Sequence, residues 1–235
     1  AVSDHFGDES YRRILDFLGR FLKSALKTNP NRWMAYMTGV MQIAKESIFS
    51  DLNNIFVNNI FSKNSDERFG FTEEEVKRIL SYYGHPERFE EAKNWYDGYR
   101  FGRVDVYNPY SIMKFVSNHF EIDTYWVKTG GDYLIRWLLE RISDENFARI
   151  LGLIEGKAVD VQIVKALPYS QVRSNEMSLY SLMVMAGYLK AVPQDGSTYR
   201  VSIPNTEVAG VISKLVSGLY PINTALFDEF NRAVL

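Results

Sequence analysis

The chain has 235 residues, of which 46% are hydrophobic and 14% aromatic, and its formal net charge is −2. That length suits one large domain or two small ones, with enough apolar side chains for substantial cores. A chain so close to neutral has no overall basic field to attract nucleic acid, so only a local basic patch could do so. The absence of cysteine excludes disulfide bonds and thiolate chemistry, and it fits a reducing compartment.

Membrane insertion and export are not predicted. No apolar run approaches the roughly 18–20 residues that a membrane-spanning helix needs. The first ten residues, AVSDHFGDES, lack the basic region and apolar core of a signal peptide. We therefore expect a soluble cytoplasmic protein.

The first third of the chain alternates helix and strand signals. Apolar residues at helical spacing predict a helix over Tyr11–Lys27, which ends before Pro30. Trp33–Met37 is predicted as a buried strand, and Phe56–Phe61 as a second, weaker one. Helix and strand in alternation are typical of α/β sheets, but the central strands of such a sheet would be missing here. We therefore expect a non-native arrangement of these strands, dimerisation through their exposed edges, or a mostly helical fold in which they form a small sheet.

The middle third predicts a helical domain from Thr72 to Leu153. Thr72 and Glu75 form a capping box at the start of a helix that stops at Gly84. Further elements are predicted as a helix from Pro86 to Trp95, a turn-rich loop or small hairpin over Tyr96–Val106, a helix over Tyr110–Asn118 and a helix over Asp132–Arg141.

The last third has a different order of elements. An apolar helix over Met177–Gly187 is followed by a hairpin that turns at Asp195-Gly196. Asn205 then caps a helix that runs to Val216. Helix, hairpin and helix in this order are consistent with a winged-helix unit or a similar small α+β module.

Three blocks carry a resemblance to a known family: Thr38–Asn54 (TGVMQIAKESIFSDLNN), Tyr96–Gly102 (YDGYRFG) and Val106–Ser111 (VYNPYS). In order and spacing they resemble the bacterial AAA-ATPase-like family, whose members often carry a PD-(D/E)XK-type nuclease domain downstream. The resemblance runs over nearly the whole chain. The phosphate-binding string G-x-x-x-x-G-K-[ST] and a strand ending in paired acidic residues are both absent. The chain thus resembles the part of such a protein that follows Walker B.

The resemblance implies a division into three parts and a fold class. Residues 1–70 would be the end of a P-loop ATPase-like core, 71–165 a helical lid domain and 166–235 a winged-helix-like module. The fold is expected to be predominantly α with small β elements, an α+β protein that keeps a remnant of a P-loop α/β core. Its expected partners are the missing N-terminal P-loop segment and a downstream nuclease domain.

The resemblance also implies nucleotide contacts. Thr38 and Gly39 would lie on the sensor side of the nucleotide site, and Lys45 would contact phosphate or pair with a neighbouring acid. Asn108 and Pro109 would present the start of a helix to the adenine ring. ATP and Mg²⁺ belong to the intact parent protein, so this chain alone is expected to bind no cofactor and to hydrolyse no ATP.

No catalytic or metal-binding residue is predicted within the chain. The three histidines, His5, His85 and His119, are scattered and lack the spacing of metal ligands. Glu91-Ala92-Lys93 has the letters of a nuclease motif but lies in a helical pattern. The alternative hypothesis is a winged-helix-type module that binds a protein partner, or DNA through Lys190, Arg200 and Lys214. Since nearby Glu176, Asp195 and Glu207 balance these cations, we expect weak DNA binding at best and favour a protein contact.

Overall fold

The computed structural model describes residues 9–27, 29–39, 56–64, 66–126, 135–136, 139–165 and 177–219. Within these ranges lie seven α-helices: α1 (Glu9–Leu26), α2 (Glu73–Tyr82), α3 (Phe89–Tyr96), α4 (Pro109–Ser117), α5 (Asp144–Ile154), α6 (Met177–Met185) and α7 (Thr206–Leu219). They also contain five short strands: β1 (Tyr99–Phe101), β2 (Val104–Val106), β3 (Val159–Gln162), β4 (Lys190–Pro193) and β5 (Thr198–Ser202). The protein is therefore α+β, predominantly helical with small sheets, as the sequence predicts.

Both sheets are antiparallel. β1 and β2 form a two-stranded hairpin in which Tyr99 lies opposite Val106. The other sheet has three strands in the order β3-β5-β4, with Val201 of β5 opposite both Val159 and Ala191. The two hairpins predicted from the turn residues are thus confirmed, whereas β3 was not predicted.

Helices α2, α3 and α4 pack around one of two hydrophobic cores. We call residues 66–126 the helical body. Its fully buried side chains come from all three helices and from the segment that follows β2. They include Val76, Leu80, Ala92, Tyr96, Tyr107, Ile112 and Phe115. The predicted bounds of α2 and α4 are confirmed to within two residues, whereas α3 begins three residues after Pro86, which instead opens a 3-10 turn.

The start of α2 is held by the predicted capping box. The Thr72 hydroxyl accepts from the Glu75 N–H at 3.3 Å, and the Glu75 carboxylate accepts from the Thr72 N–H at 2.8 Å. The pKa of Glu75 is lowered mainly because the Thr72 N–H donates to its ionised form. This contribution to stability is therefore present above the ordinary pKa of 4.5 and is lost as the pH falls through the lowered pKa.

Replacing Thr72 with alanine is expected to lower the free energy of unfolding by about 1 kcal/mol, because the first turn of α2 loses its side-chain acceptor. Urea unfolding at neutral pH measures the loss. Glu74→Ala, one residue from Glu75 on the exposed side of the same turn, is the matched control. Equal losses for the two variants would contradict a role for the box.

The second core lies in what we call the C-terminal unit, residues 135–136, 139–165 and 177–219. It gathers buried side chains from α5, α6 and α7 and from the three-stranded sheet. Helix α6 has apolar residues all round, and its described side chains from Ser178 to Val184 are buried, as expected of a central helix. Since β3 pairs with β5, the boundary predicted between residues 165 and 166 falls inside one sheet and one core.

Neither strand predicted in the first third of the chain is present. Trp33–Met37 has no strand structure, and Trp33 and Tyr36 are 90% and 88% exposed. An apolar run forms a strand only where a neighbouring strand satisfies its backbone groups. No described strand lies beside this one, so the prediction of a buried strand was wrong.

The segment 56–61 has no strand structure either, and its residues 60–61 form a turn. The Asn59 carboxamide accepts from the Phe61 N–H, and the Asn58 amide donates to the carbonyl of Asn64. These side-chain bonds compete with a strand ladder and favour a turn. The homo-oligomer was expected to form through the edges of these two strands, and neither segment is a strand. The bounds of helix α1 agree with the predicted helix to within two residues. No helix in the described ranges is long and apolar enough to cross a bilayer.

Candidate functional site

Segments far apart in the sequence meet where α7 begins. The turn before β1 places Gly98 directly against Pro204, which precedes α7. A Cβ added at Gly98 would lie 2.4 Å from the Pro204 carbonyl oxygen, and the Gly98 φ is +94°. Only glycine suits both the close approach and the left-handed conformation. The YDGY block is thereby joined to the start of α7.

Glu207, in the first turn of α7, is fully buried at this meeting point. One carboxylate oxygen accepts from the Ser111 hydroxyl at 2.8 Å, and the other accepts from the Trp126 N–H at 2.8 Å. Ser111 lies in the first turn of α4 and is itself fully buried. A single side chain of the C-terminal unit therefore bonds to both α4 and the end of the helical body.

The pKa of the Glu207 carboxyl is set by opposing effects of its surroundings. Burial raises the pKa of the Glu207 carboxyl above its ordinary value, and the nearby Asp123 raises it further. The hydrogen bonds from Trp126 and Ser111 oppose that shift because they stabilise the ionised form. Within the part of the chain that the structure describes, no Lys or Arg pairs with Glu207. Among the described residues, its charge is stabilised by neutral donors alone.

The two residues before Glu207 also bond to the helical body. The Asn205 amide donates to the carbonyl of Asp97 at 2.7 Å, while its side-chain oxygen accepts from the Val208 N–H at 3.0 Å. The Thr206 hydroxyl donates to the carbonyl of Asn94 at 3.1 Å. Asn205 therefore caps α7, as its sequence position predicts, and at the same time attaches it to the end of α3.

Tyr99 of β1 completes the cluster. Its hydroxyl is enclosed and makes no hydrogen bond of normal geometry. The pKa of Tyr99 is raised, first by burial and then by the Glu207 carboxylate, while the amides of Asn205 and Asn108 partly offset the shift. A neutral phenol therefore faces the buried carboxylate.

An ion cluster forms a second link between the two cores. Asp105 of β2 accepts from Lys190 of β4 at 2.6 Å and from Arg100 of β1 at 3.0 Å. The side chains of Lys190 and Arg100 are only 23% and 24% exposed. Such partly buried, hydrogen-bonded charges hold the β1–β2 hairpin against the three-stranded sheet.

The residues predicted to contact nucleotide are only partly brought together. Asn108 caps α4, accepting from the Tyr110 N–H at 2.9 Å, and Pro109 is the first residue of that helix. Both lie beside the cluster around Glu207. Thr38 and Gly39 lie in an exposed segment without regular structure. Lys45, like most of the block that carries it, falls outside the described residues.

The predicted DNA-binding cations are mostly occupied within the protein. Lys190 is bound to Asp105, and Arg200 makes two hydrogen bonds to Asp160 on the neighbouring strand, at 2.9 and 3.0 Å. The pKa of Arg200 is raised and that of Asp160 is lowered by this pair. Lys214 is exposed on α7. Helix α6, which would be the reading helix of a winged-helix unit, is buried and has no basic residue.

Among the described residues, no group of three or more His, Asp or Glu side chains could hold a metal ion.

The sequence pattern did not identify Glu207 or Ser111 as junction residues. The available signal was a charged residue among apolar neighbours at the start of a helix, in PNTEVAGV. That signal is weak because an acidic residue in the first turn is commonly solvated.

Comparisons with known proteins give one informative match. No protein-family profile matches the chain, and no solved structure matches it. A protein of Azotobacter chroococcum mcd 1, described as an uncharacterized protein in the vnfD 5' region, is 30% identical to it over 212 residues. The match covers 88% of this chain and 38% of that protein. The chain is therefore similar to a bacterial protein of which it spans well under half the length.

Proposed function

We propose that this chain is the lid and C-terminal unit of a P-loop ATPase of the AAA-ATPase-like type. In this proposal the phosphate-binding half and Mg²⁺ site lie in a segment outside the chain, so the chain hydrolyses no ATP by itself. The observation that carries the proposal is the position of Asn108-Pro109. These residues start the helical turn whose Ser111 bonds to Glu207. A nucleotide bound at that turn would act directly on the contact to the C-terminal unit.

The topology of the C-terminal unit supports a winged-helix-like module. Its described elements run α5, β3, α6, β4, β5, and its sheet has the order β3-β5-β4. In that order the first strand lies beside the third, and the hairpin of the last two strands is the wing. The proposed module begins at α5 and so includes residues 144–165, which the sequence assigned to the lid.

The exposed apolar residues of the first third support a partner segment. Phe17 and Phe21 stack on the surface of α1, and Trp33, Tyr36 and Phe56 are at least three-quarters exposed. Isolated exposed apolar residues are ordinary. A stretch of sequence with this many large ones is what a partner segment would cover in this proposal. In the proposal the P-loop segment of the parent protein covers them, and this contact brings Thr38-Gly39 to the sensor side of the nucleotide.

The proposed C-terminal module acts through contacts within the protein or with a protein partner. Phosphate neutralisation supplies most of the affinity for DNA. Lys190 and Arg200 are already paired with Asp105 and Asp160, so the described part of this module offers little free basic surface for DNA. In the intact protein, nucleotide binding at the lid would change the position of the module and, through it, that of the following domain. The resemblance implies that this domain is a nuclease.

Incubation of the isolated chain with ATP and Mg²⁺ is expected to give no phosphate release above the buffer blank. The reason is that neither a phosphate-binding loop nor a paired acidic strand is present in the sequence. Isothermal calorimetry and a phosphate assay make the measurement. Clear hydrolysis by this chain would contradict the proposal.

The matched test in the intact protein compares two prolines that each open a helix. Pro109→Ala is expected to weaken ATP binding several-fold, while Pro86→Ala, at the start of a 3-10 turn elsewhere in the helical body, leaves it unchanged. Both changes remove the same ring from the first turn of a helix, so they share the local cost. Equal affinities for the two variants would contradict an adenine contact at Pro109.

A further inference from the structure

Direct side-chain bonds between α7 and the helical body are concentrated in three consecutive residues. Asn205, Thr206 and Glu207 bond to the carbonyls of Asp97 and Asn94, to the Ser111 hydroxyl and to the Trp126 N–H. The later described residues of α7 pack into the core of the C-terminal unit. This turn therefore makes the polar side-chain contacts of α7 with the helical body, while apolar side chains along α7 pack in the C-terminal unit.

The first turn of α7 is stabilised by its contact with the helical body. Asn205 caps the helix through its side-chain oxygen and docks it through its side-chain nitrogen. If the turn withdraws from the helical body, the amide loses its partner, and the rotamer that caps Val208 is no longer held in place. Withdrawal and fraying of this turn are therefore coupled, and each favours the other.

The cost of closing this turn is unusual because a charged group is buried without a described counter-charge. An ionised carboxylate without an ion pair is expensive to take out of water, even with good neutral donors. When the turn opens, Glu207 regains that hydration. The difference in free energy between closed and open states is therefore smaller than for an apolar contact of the same size.

We propose that Asn205–Glu207 is a latch that couples the C-terminal unit to the helical body. When it is closed, the first turn of α7 is capped and Glu207 is bonded to Ser111 and Trp126. When it is open, that turn is frayed and the carboxylate is hydrated, while the rest of both cores stays folded. This inference concerns the chain by itself and does not depend on nucleotide binding.

The latch responds to protons. The titratable groups that face Glu207 are Tyr99 from β1, Tyr96 from α3, and Asp123 from the end of the helical body. Tyr99 and Tyr96 both have raised pKa values because of burial, so they are neutral throughout the range in which a carboxyl titrates. The pKa of Glu207 is raised in the closed state, so protonation favours closure. Closure is therefore tightest below the ordinary pKa of 4.5 and weakens as the pH rises through the raised pKa.

Native-state hydrogen exchange of the intact chain tests the latch. The reporters are the amides of Val208, which donates to the Asn205 side chain, and Ala209, which donates to the Asn205 carbonyl. Ser111→Ala is expected to raise the opening constant at both amides by roughly tenfold or more, since it leaves a buried carboxylate short of a donor. Ser117→Ala on the exposed side of the same helix is the matched control, with an expected change of less than about twofold.

Glu207→Gln keeps the shape of the side chain but cannot ionise. The wild-type opening constant, corrected for intrinsic exchange, is expected to rise with pH above 4.5, and that of Glu207→Gln to stay flat. Glu145→Gln, which changes an exposed acid on α5, is the control and should keep the wild-type pH profile.

Thr206→Ala is the second variant if Ser111→Ala fails to fold. It removes only the bond to the Asn94 carbonyl and is expected to raise the opening constant a few-fold.

Two outcomes would overturn the latch. The first is exchange at Val208 and Ala209 that rises only together with the core amides of α4 and α6, because the contact would then be part of one global unfolding unit. The second is a pH profile that Glu207→Gln leaves unchanged. Selective opening of this turn, with the pH slope lost in Glu207→Gln, supports the latch whether or not the chain belongs to an ATPase.

Discussion

Gly98→Ala is expected to lower the free energy of unfolding by about 3 kcal/mol or more, the sum of a left-handed backbone cost and severe crowding. The added methyl would lie 2.4 Å from the carbonyl oxygen of Pro204, and backbone atoms cannot move aside as a flexible side chain can. Relief of that clash requires the YDGY turn to separate from the start of α7. The change should therefore also break the bond between the Asn205 amide and the Asp97 carbonyl.

Gly156 provides the matched control. Its φ of +82° is close to that of Gly98, but a Cβ added there would meet no atom within 4 Å. Gly156→Ala should therefore show the backbone cost alone, about 1 kcal/mol. Urea unfolding of both variants separates the two effects. Similar losses at the two positions would show that Pro204 does not approach Gly98 as closely as described.

Lys190→Glu is expected to be the second most damaging of the proposed changes, with a loss of about 2–4 kcal/mol from breaking a partly buried, hydrogen-bonded charge pair. Asp105 would then face a new negative charge in place of its 2.6 Å partner, with Arg100 left as its only described cation. The hairpin β1–β2 should detach from β4 as a result. Thermal unfolding and exchange at the β4 amides measure the effect.

Arg200→Glu is the control for that substitution. The Arg200–Asp160 pair is about half exposed on both sides, so its removal should cost at most about 1 kcal/mol. Comparable losses for the two variants would contradict the burial of the Lys190 cluster.

Arg200→Glu also separates an effect on stability from an effect on DNA binding. If duplex DNA bound at low salt through β4 and β5, Arg200→Glu would weaken it without unfolding the protein, and no binding at low salt would rule out that alternative.

Helix and turn boundaries were predictable because their signals lie within a few residues of one another. Thr72 and Glu75 satisfy each other across one turn, and Asn108 and Asn205 each cap the helix that follows them. The hairpin at Asp195-Gly196 also needs only its own turn residues. Such contacts form in any fold that contains the segment, so local pattern alone identifies them.

Strands in the first third were mispredicted because a strand depends on a partner that local pattern does not reveal. Trp33–Met37 has the composition of a buried strand, yet its apolar side chains are exposed and no described strand lies beside it. Asn58 and Asn59 instead satisfy the backbone of their own turn. β3 was missed for the converse reason. Its four residues become a strand only because β5, about 40 positions later, pairs with them.

The sequence by itself determined the α+β class, the helix caps, the two hairpins and the resemblance that motivates the proposed function. Only the tertiary structure decided which of the polar residues matter together. Glu207 lies 96 positions from Ser111 and 81 from Trp126, and both donors belong to the helical body. Local pattern treats it as one more solvated acid in a first turn. Burial and the raised pKa exist only once the chain has brought these distant donors around the carboxylate.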